Sequence, residues 1–356
     1  MGLFSESDNS FLKGVKVFFT GCGAVSFIMF ALVMCVGILV DDDEDEDKKD
    51  VTESQVGLSE ARPDSVQRRD VLEGDPMKEL ESLTGMPEVK KEVKSLANFI
   101  KVQKQREAQG LKTPKISYHL VFTGSPGTGK TTVARIIARI YKDLGVLKSG
   151  HLVETDRSGL IAEYVGQTGV KTNHLCDSAL NGVLFIDEAY SLVDEGVGGY
   201  GNEAIATLLK RMEDDRDRLV VIVAGYTNEM KRFIDSNPGL QSRFNRYINF
   251  PDFKPGELVE IFMNRMNKYG YKLDDDADKY LREKFKYVYQ HKSKNFGNGR
   301  YVRNVLERAI MRQAERVVAE CAGSEITEDD VTKLRKEDFC MIPTGQKATV
   351  KLGFAV

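Results

Sequence analysis

Between residues 121 and 132 the chain reads Val-Phe-Thr-Gly-Ser-Pro-Gly-Thr-Gly-Lys-Thr-Thr, and Gly124, Gly129, Lys130 and Thr131 fall on the spacing G-x-x-x-x-G-K-[ST]. Glycines at these intervals let a backbone curl until successive N–H groups point inward at an anion, which confines the segment to a loop between a strand and a helix. The flanks agree. An apolar run from Tyr118 to Phe122 precedes the loop as a buried strand would, and Val133, Ile136, Ile137, Ile140 and Tyr141 follow it at helical spacing. Gly124, Ser125, Pro126, Gly127, Thr128, Gly129, Lys130, Thr131 and Thr132 therefore read as a phosphate cradle at a helix N-terminus. Lys130 is expected to reach the β and γ oxygens of ATP, and the Thr131 hydroxyl to ligate Mg2+.

A second segment says what is done with the nucleotide. Val183-Leu184-Phe185-Ile186-Asp187-Glu188 is a continuous apolar strand that ends in two carboxylates. Parallel strands covered on both faces look like this, and ligands of such sheets bind beyond the carboxyl ends. Asp187 is expected to share the Mg2+ with Thr131 through the metal's water shell, and Glu188 to orient and deprotonate the attacking water. A metal ligand beside a water activator makes the chain an ATP hydrolase.

The rest of the composition removes other classes. Net charge is −3 over 356 residues, so no basic field recommends nucleic acid as a partner. Cys22 and Cys35 sit in an apolar stretch, and Cys176, Cys321 and Cys340 lack metal-ligand spacing, so all read as reduced packing residues. The four histidines include no H-E-x-x-H, which argues against a zinc protease.

Organisation follows from shifts in pattern. Residues 1–16 form a short tail, and Val17 to Val40 is a run of 24 residues without a charge. As a helix it would be about 36 Å long against a hydrocarbon core of about 30 Å, so a single-pass transmembrane helix is expected. Lys13 and Lys16 on one side balance Lys48 and Lys49 on the other, leaving orientation open by charge. An ATPase must meet ATP, which places the remainder in the cytoplasm. Residues 41–73 are acidic, poor in aromatics and aperiodic, and read as a flexible linker. Strand signals at 118–123, 151–155, 183–187, 219–225 and 247–250 alternate with helical ones. They predict a large α/β domain over residues 74–255: a five-stranded parallel sheet with helices on both faces. Residues 256–342 show only helical patterns and predict a small all-helical C-terminal domain, followed by a tail at 343–356.

Taken together, Gly124 to Thr131, Glu163-Tyr-Val-Gly-Gln-Thr168, Phe185-Ile-Asp-Glu-Ala-Tyr190, Val223-Ala-Gly-Tyr226, Pro238-Gly-Leu-Gln-Ser-Arg-Phe244 and Gly297-Asn-Gly-Arg-Tyr-Val-Arg-Asn304 resemble the motifs of the AAA+ P-loop NTPases. Within them the chain is similar to the group that contains red-type Rubisco activase (CbbX) and stage V sporulation protein K. The resemblance spans roughly residues 75 to 340 and implies further roles. Asn228 corresponds to the sensor-1 position, which orients the attacking water. Arg243 and Arg246 correspond to arginine fingers that reach the ATP of the next subunit, for which planar, permanently charged guanidinium groups are suited. Arg300 corresponds to sensor 2 on the helical lid, with Arg303 one turn later. Tyr164, Val165 and Gly166 resemble the aromatic-hydrophobic-glycine loop that lines a hexamer's pore and grips polypeptide.

The implied function is a membrane-anchored ATPase, hexameric, that couples Mg-ATP hydrolysis to remodelling or partial threading of a protein client. The alternative is a nucleotide-dependent assembly or scaffold subunit of a secretion or envelope complex, with slow hydrolysis. Residues 17–40 depart from the soluble activase and put that enzyme's substrate in doubt.

Overall fold

The computed structural model describes residues 74–339 apart from 115, 165, 194–198 and 322–324, together with the backbone of Arg68–Arg69. The expected membrane helix at 17–40, most of the linker, the tails and Val165 lie outside the described residues. Among the described residues no helix is long and apolar enough to cross a membrane.

The sheet is built as the apolar runs require. Strands β2 (Leu120–Gly124), β4 (Gly182–Ile186) and β5 (Leu219–Gly225) are buried along their whole length. Strands β3 (Leu152–Thr155) and β6 (Tyr247–Phe250) complete five parallel strands in the order β3-β4-β5-β2-β6. A sixth strand, β1 (Arg68–Arg69), pairs antiparallel with β3 through Arg68 opposite Val153 and Arg69 opposite Leu152. The reading of 41–73 as linker throughout is thus corrected at its end. Two arginines carry no apolar alternation, so sequence pattern gave no sign that their backbone covers the sheet's edge.

Two apolar cores flank the sheet. On one side helices α1 (Pro76–Ser82), α2 (Pro87–Ala108) and α3 (Lys130–Asp143) bury Leu80, Val93, Ile100, Ile137 and Tyr141 with Phe122 and Phe185. On the other, α5 (Thr168–Ser178), α6 (Tyr200–Asp214) and α7 (Thr227–Asp235) bury Leu175, Leu208 and Phe233 with Val221 and Ile186; the single turn α4 (Arg157–Leu160) precedes α5. Arg139 of α3 is buried, pairs with Glu79 of α1 and donates to the Gly74 carbonyl at 2.5 Å. It ties the start of the domain to the helix that follows the phosphate loop.

Beyond the short helix α8 (Pro238–Arg243) and β6, the chain forms α9 (Pro255–Lys268), α10 (Asp275–Gln290), α11 (Asn298–Glu320) and α12 (Glu328–Thr332). This lid is not all-helical. β7 (Lys272–Leu273) and β8 (Lys333–Leu334) pair in parallel, and Asp274, the N-cap of α10, donates its N–H to the Leu334 carbonyl. Strands of two residues are too short to show a period, which is why the sequence reads here as helix alone.

His119, at the mouth of β2, is buried and accepts the Val221 N–H on Nδ1 at 3.0 Å, so it bridges β2 and β5 as a neutral ring. Burial pulls its pKa from 6.5 down to about 4. The unfolded chain takes up a proton below pH 6.5 and the folded one does not. Stability is therefore lost as pH falls from about 6.5 to about 4, by up to about 3 kcal/mol from this residue. His119→Asn, which keeps an acceptor near Nδ1 but cannot titrate, is expected to flatten that part of the stability profile. Urea midpoints at pH 7.5 and pH 5 check it, and an unchanged pH slope refutes it.

Candidate nucleotide site

The phosphate loop occupies the turn between β2 and α3, at the carboxyl end of a central strand. Its glycines are there for clearance. Gly124 has φ 145° and a Cβ on it would lie 2.2 Å from the Phe250 carbonyl oxygen; Gly127 has φ 72° and its Cβ would lie 2.2 Å from that of Gly297. Thr128 is buried, and its hydroxyl donates to the Ser125 carbonyl at 2.8 Å, bracing the loop from inside.

The loop opens on a cleft of about 400 Å3 between the sheet and the lid. Gly124, Pro126, Gly127, Gly129, Lys130, Thr131 and Thr132 line one wall, Asp187 and Glu188 another, and Arg300 and Arg303 of the lid face them. Most of the predicted cradle is therefore brought together; Ser125 and Thr128 instead support it from behind. Lys130 donates to the Gly124 and Ser125 carbonyls, each at 2.9 Å. Burial pulls its amine below the ordinary lysine range, Asp187 opposes that shift and Arg300 adds to it. A charge held under those conditions gains from an incoming polyphosphate. Asp187 receives its position from β3, since its N–H bonds to the Thr155 carbonyl at 2.8 Å. Glu188 follows with φ 50°, a left-handed turn that leaves its carboxylate exposed. Burial pushes the neighbouring Tyr190 hydroxyl up to about 12, with Glu188 contributing, so it remains a proton donor beside that carboxylate.

Other predicted residues lie elsewhere. Asn228 is exposed on the first turn of α7 and is not among the cleft's lining residues; the chain contributes Gly225 and Tyr226 there instead, because the helix starts at Thr227. Arg243 and Arg246 stand outside this chain's own cleft. Among the described residues the Arg243 guanidinium has long contacts, 3.5 Å to Glu213 and 3.4 Å to the Gly239 carbonyl and the Ser242 hydroxyl, and its Nε is buried with no hydrogen-bond partner among them. Arg246 is engaged within its own chain, 4.9 Å over the Phe99 ring. Tyr164 is 68% exposed, and Gly166 beside it faces open space.

Sequence reasoning missed the pair Arg135–Glu154, 2.7 Å apart on the cleft wall, and Ile261 and Arg265 of α9. The signal for Arg135 is its place one turn after Thr131. Glu154 carried none, being a single carboxylate at a strand end. Asn298 was also passed over.

Comparison with known proteins agrees with this arrangement. Residues 120–252 match the family described as ATPase family associated with various cellular activities (AAA), and residues 254–349 match the AAA lid domain. Stage V sporulation protein K of Bacillus subtilis (strain 168) is 42% identical over 263 residues, which is 74% of this chain and 81% of that protein. The chloroplastic ribulose bisphosphate carboxylase/oxygenase activase of Cyanidioschyzon merolae is 42% identical over 259 residues, covering 72% and 87%. The ESX-3 secretion system protein EccA3 of Mycobacterium tuberculosis is 39% identical over 78% of this chain, which spans 46% of that longer protein. Among solved structures, the FIGL-1 AAA domain in complex with ADP shares the fold, with a TM-score of 0.53, 18% identity and coverage of 78% and 85%.

Substitutions at three positions separate binding from chemistry. Lys130→Ala is expected to abolish nucleotide binding. Glu188→Gln should retain ATP and lose turnover by on the order of 10^2- to 10^4-fold, and Arg243→Ala should retain binding and lose about 10^3-fold or more if it serves a neighbouring site. Bound nucleotide and steady-state turnover measure all three. Wild-type turnover in Glu188→Gln would remove that residue from the chemistry.

Proposed function

The chain belongs to the AAA+ ATPases and hydrolyses ATP, and from that premise we propose that it is a membrane-anchored, hexameric motor that remodels or partly threads a protein client. Thr131 and Asp187 would hold Mg2+, which would neutralise phosphate charge, while Glu188 activates water and Arg300 and Arg303 bring the lid onto the phosphates. Arg243 completes the site of the next subunit, with Arg246 behind it. What supports a shared site is the position of Arg243 away from its own cleft, with weak contacts and an unsatisfied buried Nε. A phosphate or carboxylate from a neighbour would give the guanidinium the close partner that its long contacts do not supply.

The observation that carries the motor reading is Tyr164. A large ring 68% exposed, on the short connection between α4 and α5 and beside an unobstructed Gly166, suits sequence-tolerant gripping of polypeptide. Its connection runs back to β3, which pairs with the strand bearing Asp187, so the ring and the hydrolytic carboxylates share one short structural path. Tyr164→Ala should abolish client-stimulated ATP turnover while Tyr164→Phe retains it, measured with a client captured by Glu188→Gln protein. Stimulation equal in all three would favour the assembly-subunit reading, which the naming of one relative as a secretion system protein also favours.

The anchor rests on the uncharged run at 17–40 alone. In the cell, the full chain is expected to sediment with membranes and resist extraction at high pH, and a chain lacking 17–40 to remain in the supernatant. Equal partitioning of the two would end the anchor reading.

A further inference from the structure

Asn298 is fully buried at the first position of α11, with φ 45°, a left-handed conformation that favours asparagine or glycine. Its amide joins three segments that are far apart in sequence. Oδ1 accepts the Phe253 N–H at 3.0 Å, while Nδ2 lies 2.8 Å from Asp252 Oδ1, 3.0 Å from the Phe296 carbonyl and 3.4 Å from the Pro126 carbonyl. Asp252 and Phe253 belong to the connection between sheet and lid, and Pro126 is the crest of the phosphate loop. One residue on, the Gly299 N–H donates to the Gly127 carbonyl at 3.0 Å. The first turn of the lid helix is therefore bolted to the loop that receives the phosphates, and Arg300 is the next residue along.

The clamp is built to stay charged and ordered. Burial alone would raise the Asp252 carboxyl, but hydrogen bonds from Lys292, at 2.6 Å, and from Asn298 and Ser125 hold it below the usual carboxylate range. Asp252 thereby touches both the loop and the lid. Asn298, Asp252 and Lys292 are not among the residues that line the cleft where Arg300 and Arg303 stand; they act on it through the phosphate loop and the start of the lid helix.

We propose that Asn298 is a positioning residue that locks the lid helix to the crest of the phosphate loop and so sets the distance from which Arg300 meets the nucleotide. This rests on the assignment of Arg300 to the phosphates. Loop and lid then move as one body, and a displacement of Pro126 or Gly127 by bound phosphate is delivered to Arg300 without an intervening soft joint.

The test is a double-mutant cycle in the full-length protein with Mg-ATP. Asn298→Gly deletes the amide while preserving the left-handed backbone, and kcat, KM and nucleotide Kd are measured for it, for Arg300→Ala and for the pair. The single change is expected to lower kcat/KM by on the order of 10- to 100-fold, the scale of a misplacement of about 1 Å. The pair should be no slower than Arg300→Ala alone, since an absent arginine cannot be mispositioned. Lys292→Met removes another contact to Asp252 and is expected to lower the thermal midpoint and, like Asn298→Gly, to add no further loss of kcat/KM to Arg300→Ala. If Asn298→Gly does not fold, Asn298→Asp, which keeps the acceptor for Phe253 and sets a carboxylate against Asp252, takes its place in the same cycle. Losses that multiply between position 298 and Arg300→Ala overturn the proposal. An Arg300→Ala protein with unchanged kcat/KM overturns the assignment of Arg300 and this inference together.

Discussion

Two approaches of backbone to backbone at the phosphate loop govern the rest of the molecule. At Gly124 the chain passes so near Phe250 that β6 can lie beside β2 only if no side chain intervenes; at Gly127 it passes as near Gly297, just ahead of the lid helix α11. The first contact fixes the loop in the sheet and the second fixes the lid on the loop. Both occur at positive φ, where a Cβ would be strained even in open space. The glycines that let N–H groups converge on a phosphate thus also let the two domains of the ATPase meet at that point.

The electrostatics of the cleft follow from the same crowding. Lys130 is drawn below the surface and donates to carbonyls of its own loop, with Asp187 opposite and Arg300 closing from the lid. Five cationic side chains, Lys130, Arg135, Arg265, Arg300 and Arg303, then share one partly enclosed volume with the carboxylates of Glu154, Asp187 and Glu188, and a polyphosphate supplies the negative groups that the excess of cations lacks. Binding energy in such a site comes from relieving charges that the fold has already desolvated.

Much of this was legible in the sequence because the relevant signals are local. The loop spacing, the apolar strand before Asp187 and the helical recurrence after Thr131 each lie within a dozen residues, and five parallel strands and the opposed walls of the cleft follow from them. What sequence pattern could not show are contacts made by single polar residues over long separations. Asn298 bonds to Pro126 across a gap that no periodicity spans, and Arg135 meets Glu154 from a different element. The two-residue strands β1, β7 and β8 are defined by backbone pairing and leave no trace in hydropathy. At Asn228 the resemblance supplied a role by alignment, while the early start of α7 turns that position outward and leaves Tyr226 at the cleft.

The ties at the start of the domain have a mechanical meaning. Arg68–Arg69 is laced to β3, the strand beside the one carrying Asp187, and Gly74 and Glu79 are held by Arg139 on the helix that begins with Lys130. Tension applied to the chain ahead of residue 68 would enter the molecule along the sheet edge and the phosphate-loop helix, and would reach the lid through them and through Thr84, whose hydroxyl donates to Glu260 of α9 at 3.0 Å. The short strand is loaded in shear across its hydrogen bonds and the buried arginine as a rivet behind it, so the first element to yield under load is the edge pairing, with the nucleotide cradle protected one fastening further in.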